Sequence, residues 1–128
     1  MCIRDSLLIG AMTRERTIEN SELVRTHGPL LHEATSYIGH LPIRSRGTIG
    51  GSIVNADPAA EYPTALLALD GEMVLHSTRG KRRVPAARFF EGVLSTILEP
   101  DELLAELIVP KLAPGTGSAF LELSLIHI

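Results

Sequence analysis

The sequence predicts one α+β domain, an antiparallel sheet flanked by helices. Three observations carry that prediction. The second half holds short runs of alternating polarity, the period of half-buried strands. The first half holds apolar residues at helical spacing, bracketed by Pro and Gly. Strand runs with few long helices between them favour separate helical and sheet layers over a parallel α/β sheet. The 128 residues, 45% hydrophobic and 21% charged, suit a single packed core.

The elements follow in order. LLIG, Leu7 to Gly10, reads as a short strand. Thr13 is placed to cap a brief helix, and Asn20 or Ser21 a second. In GPLLHEATSYIG, Pro29 suits a first helical turn, Leu30, Leu31, Ala34 and Ile38 share a face, and Gly39 stops the helix. A glycine-rich stretch comes next. Pro63 opens another helix, PTALLALD, which ends at an Asp70–Gly71 turn. EMVLHS and KRRV flank Thr78-Arg79-Gly80 as a hairpin. PAARFFEG is a short helical turn. LLAELIVP alternates Leu104, Glu106 and Ile108 against Leu103, Ala105, Leu107 and Val109, a strand ending at Pro110. KLAPGTG is a loop, and SAFLELS alternates again as a last strand. No repeat, low-complexity tract or interior domain boundary is visible.

Composition narrows the function. A net charge of −3, 4% aromatics and no Trp argue against a dedicated nucleic-acid binder. The single cysteine, Cys2, cannot make an internal disulfide, a Cys-rich zinc site or an iron–sulfur cluster, and a reducing, cytoplasmic setting is the simple expectation. No apolar run approaches the roughly 18 residues of a membrane span. MCIRDS and LSLIHI resemble translated sequencing-adaptor sequence, so residues 1–6 and 125–128 are expected to be non-native ends around a unit spanning 7–124.

The stretch from Arg46 to Pro63, RGTIGGSIVNADPAAEYP, concentrates the chemistry. Glycines at 47, 50 and 51 can turn successive backbone N–H groups outward into an anion-holding concavity. Thr48 and Ser52 add hydroxyls, Asn55 a donor and an acceptor, and Asp57 and Glu61 acceptors. A pyrophosphate beside a sugar or polyol suits that order. The alternative is a bulged strand in which Gly permits close backbone packing, and composition alone favours it. The pattern is neither a P-loop nor the GxGxxG fingerprint.

The wording IRSRGTIGGSIVNADPAAEYPTALLALD closely resembles the FAD-binding subunit of molybdenum hydroxylases, the family of the carbon monoxide dehydrogenase medium subunit and the xanthine dehydrogenase flavin domain. LLIGAMTRERTIENSELVRTHGPLLHEATSYIG before it and RGKRRVPAARFFEGVLSTILEPDELLAELIVPKLAPGTGSAFLELS after it are similar to the flanking family segments. The resemblance implies the second lobe of a PCMH-type (vanillyl-alcohol-oxidase-like) FAD-binding domain. It implies that Thr48, Ile49, Gly50 and Gly51, as the family's T-[IL]-G-G turn, contact the FAD phosphates. It places Ser52 and Asn55 close to the cofactor, Glu61 on hydroxyls of the ribose or ribityl part with Asp57 beside it, and Leu104 in the flavin pocket. It further implies partner subunits, a large one carrying molybdenum and a small one carrying [2Fe-2S] clusters, with electrons leaving FAD for an external acceptor. The family's other phosphate loop, of AGGTD or AGGHS type, has no counterpart in this sequence, so weak or absent FAD binding by this chain alone is the expectation. A non-catalytic ligand-binding or interaction domain that has lost flavin is the alternative reading. A flavoprotein of the related oxidase superfamily without molybdenum is disfavoured by the TIGGS wording.

Other groups read more plainly. Arg79, Lys81, Arg82 and Arg83 form a solvated cluster protecting a hairpin edge. Arg44 and Arg46 either add positive potential to the glycine turn or are surface residues. Glu99, Asp101 and Glu102 make an exposed turn rather than an acid–base site. His27, His32, His40, His76 and His127 lack metal-ligand spacing. Ser52 lacks a nucleophile-elbow setting. Phe89–Phe90 reads as a core plug rather than a flavin-stacking pair.

Overall fold

Alternating burial builds the sheet. The computed structural model describes residues 2–3, 6–38, 41–111 and 115–121. Its strands are β1 (Cys2–Ile3), β2 (Ser6–Gly10), β3 (Glu72–Ser77), β4 (Gly80–Pro85), β5 (Phe90–Gly92), β6 (Ser95–Thr96) and β7 (Leu103–Pro110). Among the described residues β1, β2, β7, β3 and β4 form one sheet in that order, antiparallel throughout. Register aligns one buried row across it: Ile9 faces Leu107, Leu107 faces Met73, and Met73 faces Val84. Leu7 and Val109 pair beside that row. Each of these side chains is buried, so one face of the sheet is the floor of the core.

The helices are α1 (Glu15–Glu19), α2 (Glu22–His27), α3 (Pro29–Thr35), α4 (Leu41–Arg46), α5 (Ile49–Asn55), α6 (Glu61–Ala68) and α7 (Ala86–Phe89). Ser21 caps α2 by accepting from the Val24 N–H. Pro29 sits in the first turn of α3, which buries Leu30, Leu31 and Ala34. Pro63 lies within the first turn of α6, and Asp70, at φ 56°, turns the chain out of that helix. α3 packs on α6. There the fully buried Tyr62 hydroxyl lies 2.7 Å from Thr35 Oγ1, which donates to the Leu31 carbonyl at 2.9 Å. Burial is the main reason the Tyr62 hydroxyl is held well above its usual pKa.

The expected α+β fold with an antiparallel sheet is what forms, and the hairpin of β3 and β4 lies where the sequence put it. Several elements differ. α1 is preceded by Arg14 rather than capped by Thr13, whose carbonyl instead accepts from Ile49. α4, and the small β5–β6 hairpin, carry no periodic signal and were not expected. Ser118 to Leu121, the described part of the expected last strand, is not in a ladder; Phe120 instead packs on Tyr37, ring centroids 5.2 Å apart. Gly39, the expected helix stop, and residues 122–124 lie outside the described residues.

The alternation of β7 also breaks. A register shift at Val74/Leu75 leaves Ala105 without a partner on β3, so Leu104 faces Leu75. Leu75 belongs to the core face, and Leu104 therefore joins Leu107 and Val109 there instead of Glu106 and Ile108.

Candidate functional site

The glycine-rich stretch is a helix, not a strand, and it does not make an amide nest. Thr48 is extended (φ −118°, ψ 153°) and caps α5, its Oγ1 accepting from the Gly51 N–H at 3.1 Å. The Gly47 N–H goes to Ile43 O at 2.8 Å, Ile49 N–H to Thr13 O at 3.0 Å, and Gly50 N–H to Ala11 O at 2.8 Å. Four backbone donors between 47 and 51 are thus consumed within the chain. The reason is packing: Ile49 and Ile53 are fully buried, and pulling them into the core presses the start of α5 onto the segment after β2.

The three glycines have different physical reasons. A Cβ at Gly47 would strike Glu15 Oε1. A Cβ at Gly50 would sit 2.7 Å from both the Cβ and the carbonyl oxygen of Ala11. The close-packing reading therefore holds at these two positions. At Gly51 a Cβ would meet only the Thr48 hydroxyl, at 3.0 Å, and the residue is exposed.

Helical spacing sorts the remaining candidates. Thr48, Gly51, Ser52 and Asn55 stand at i, i+3, i+4 and i+7, one stripe of α5 opposite the buried Ile49, Gly50 and Ile53. Thr48 and Ser52 are half-buried, while Gly51 and Asn55 are exposed. Ala56 ends the helix in a left-handed conformation, φ 53°. Asp57 is exposed in the turn that follows, its Oδ1 accepting from Ala59 N–H at 2.9 Å. Glu61, half-buried, opens α6, which packs against α5. Leu104 approaches from the sheet: Gly50 N–H bonds Ala11 O, and Ala11 N–H bonds the carbonyl of the bulged Ala105 at 2.9 Å. The structure thus brings the start of β7 to the start of α5, but it puts Ile49 and Gly50 on the packed side.

The charges around this turn also rearrange. Arg44 is not a surface cation: its Nε lies 3.0 Å from Glu19 Oε2 and its Nη1 donates to Ile38 O at 2.8 Å. Glu15, 5% exposed, is held above the usual carboxylate pKa by burial, partly offset by Arg44. Arg14 pairs with Thr48 in an isolated antiparallel bridge. Sequence reasoning passed over Arg14 and Arg16 because Glu15 between them masks the cluster.

The basic hairpin and the acidic turn, read separately, are partners. Arg79 makes two bonds to Asp101 (3.0 and 2.8 Å), and Arg82 makes two to Glu102 (2.7 and 2.8 Å). Glu102 also accepts from Glu99 N–H at 2.9 Å, and its carboxyl pKa falls to about 2, chiefly through Arg82. Phe89 is fully buried and meets Phe90 edge-on at 5.2 Å, so it plugs the core. His32 Nε2 lies 2.9 Å from Glu19 O. Among the described residues no helix is long and apolar enough to cross a membrane.

Comparison with known proteins shows the family and the fold. Residues 3–112 match the family model described as the FAD binding domain in molybdopterin dehydrogenase. The chain is 41% identical over 122 residues to subunit alpha of the 6-hydroxypseudooxynicotine dehydrogenase complex of Paenarthrobacter nicotinovorans, covering 95% of this chain and 41% of that protein. It is 41% identical over 115 residues to the carbon monoxide dehydrogenase medium chain of Hydrogenophaga pseudoflava, covering 90% and 40%. A solved structure of carbon monoxide dehydrogenase from that organism superposes with a TM-score of 0.95 at 39% identity, over 98% of this chain and 44% of that one. Quinoline 2-oxidoreductase of Pseudomonas putida 86 gives 0.86 at 32%, over 88% and 40%. The chain spans about two-fifths of the length of these relatives. With most of its residues inside the family match and its fold shared with solved relatives, the chain belongs to the family of FAD-binding domains of molybdopterin dehydrogenases.

Proposed function

We propose that this chain is part of the FAD-binding, electron-transferring subunit of a molybdenum hydroxylase complex, working in the cytoplasm with a molybdenum-binding large subunit and an iron–sulfur small subunit. FAD, when bound, supplies the redox chemistry that links the iron–sulfur clusters to an external acceptor. The chain's own residues bind and orient. The observation that carries the reading is the polar stripe Thr48, Gly51, Ser52, Asn55, and Gly51 within it. A side chain there would press only on the Thr48 hydroxyl and on nothing in the core, so the bare backbone leaves room for a ligand to come close.

The donors differ from an amide nest. The Thr48 hydroxyl accepts from Gly51 and keeps its own proton to give, so it and the Ser52 hydroxyl are the groups we assign to the diphosphate. Asn55 offers a donor and an acceptor further along the stripe. Asp57 and Glu61 accept from sugar or polyol hydroxyls. Leu104 supplies apolar wall where the bulge turns it. Ile49 and Gly50 act by holding α5 against the sheet. We assign no catalytic acid, base, nucleophile or metal ligand to this chain; orientation and exclusion of water are its contribution.

The test is expression of the gene with its genomic neighbours, followed by an absorption spectrum for oxidised flavin. The wild type is expected to retain flavin, and Gly51→Asp to lose it while its urea midpoint stays near that of the wild type. Full flavin occupancy in Gly51→Asp overturns the assignment.

A further inference from the structure

Arg14-Glu15-Arg16 looks self-neutralising as a sequence, yet the fold separates its charges. Glu15 turns inward, its N–H on Gly47 O at 2.9 Å and its carboxylate against the bare Cα side of Gly47. Arg14 and Arg16 stay outside. With Thr17, Asn20, Ser21 and Ser45 they line an open groove of about 570 Å³. Both guanidinium groups are braced on neutral oxygens. Arg14 Nη1 donates to Ser45 O (3.0 Å) and Arg46 O (3.3 Å) at the carbonyl end of α4, and Arg16 Nη1 donates to Ser45 Oγ (3.4 Å).

The nearby carboxylates are engaged elsewhere, Glu19 with Arg44 and Glu22 with Arg25. Among the described residues Arg25, Arg44, Arg79, Arg82 and Arg83 each form an ion pair, whereas Arg14 and Arg16, like the separate Arg46 and Arg88, form none. Two held guanidinium groups with no carboxylate, side by side in an open groove, suit a tetrahedral dianion: their planar forks match phosphate oxygens and their charge balances it.

We propose that this groove between α1 and α4 binds the phosphate of a nucleotide through Arg14 and Arg16, with Ser45 and Asn20 at its rim. The Arg14–Thr48 bridge sets it beside the polar stripe of α5. The nucleotide is either the flavin cofactor, whose diphosphate then spans stripe and groove, or an external dinucleotide acceptor. Only this choice rests on the function proposed above; anion binding does not.

The experiment titrates inorganic pyrophosphate into the ¹⁵N-labelled chain and follows the Nε–H resonances of its arginines. Saturable shifts are expected at Arg14 and Arg16, with affinity about tenfold weaker in Arg16→Gln, the variant that leaves Arg14 on the α4 carbonyls, and unchanged in Arg79→Gln. Equal shifts at all arginines, or no change in Arg16→Gln, overturn the site. Displacement of pyrophosphate by FAD supports the cofactor as source, and displacement by NADH alone supports an external acceptor. Displacement by polyglutamate but by neither nucleotide overturns the nucleotide assignment. Flavin retained by Gly51→Asp alongside intact pyrophosphate shifts removes the cofactor reading and keeps the groove.

Discussion

The N–H of Gly50 donates to the carbonyl of Ala11 at 2.8 Å, with no room for a side chain between them. That contact ties α5 to the sheet, because Ala11 in turn bonds Ala105. Residue 50 is where the helix touches the core, and residue 51 is where it faces outward.

Gly50→Ala is therefore expected to destabilise the chain by about 1–3 kcal/mol, as overpacking does. Gly51→Ala is expected to stay within about 0.5 kcal/mol of wild type, since better helix propensity offsets a strained Thr48 cap. Urea midpoints of the two variants check this. Equal losses would show that both glycines serve packing.

Thr48→Val removes the oxygen that accepts from Gly51 while keeping the shape of the side chain. A loss of about 1 kcal/mol is expected, with Thr48→Ser nearly neutral. In the complex, Thr48→Val should also lower flavin retention and Thr48→Ser should not. Chemical denaturation and flavin absorbance read the two effects separately.

Glu102 should make the fold acid-sensitive. Its folded pKa, about 2, lies below the ordinary 4.5, so the stability it contributes is present above 4.5 and is lost as pH falls toward 2. Urea midpoints between pH 5 and pH 2 should fall, and Glu102→Gln should flatten the decline. An unchanged slope in that variant would remove Arg82–Glu102 as the cause.

Glu15 should do the opposite. Its folded pKa is raised, so the proton is held more tightly in the folded state, and stability is lost as pH rises through 4.5 toward the folded value. Glu15→Gln is expected to be more stable than wild type at pH 7 and to lose that advantage by pH 4. Thermal melts at the two pH values test the sign.

The sequence by itself determined the layer type, most strands and the stretch to which we assign the cofactor. Strand alternation in EMVLHS, the Pro29 helix start and the Ser21 cap are local effects, set within a few residues by backbone geometry and side-chain period. The T-I-G-G wording located the turn for the same reason: the order of residue types is legible without a fold.

Tertiary structure decided what those residues do. Whether the N–H groups of Ile49 and Gly50 faced a ligand or a neighbour depended on where the carbonyls of Thr13 and Ala11 arrived, more than thirty residues earlier in the chain. The bulge at Ala105 moved Leu104 to the core face, and no local period announces a bulge. Arg82 and Glu102 read as two surface features until the sheet placed β4 beside the turn before β7. Hydrogen bonds and ion pairs depend on separations of a few ångströms, and in a folded chain such separations are set by packing between distant segments, not by order along the sequence.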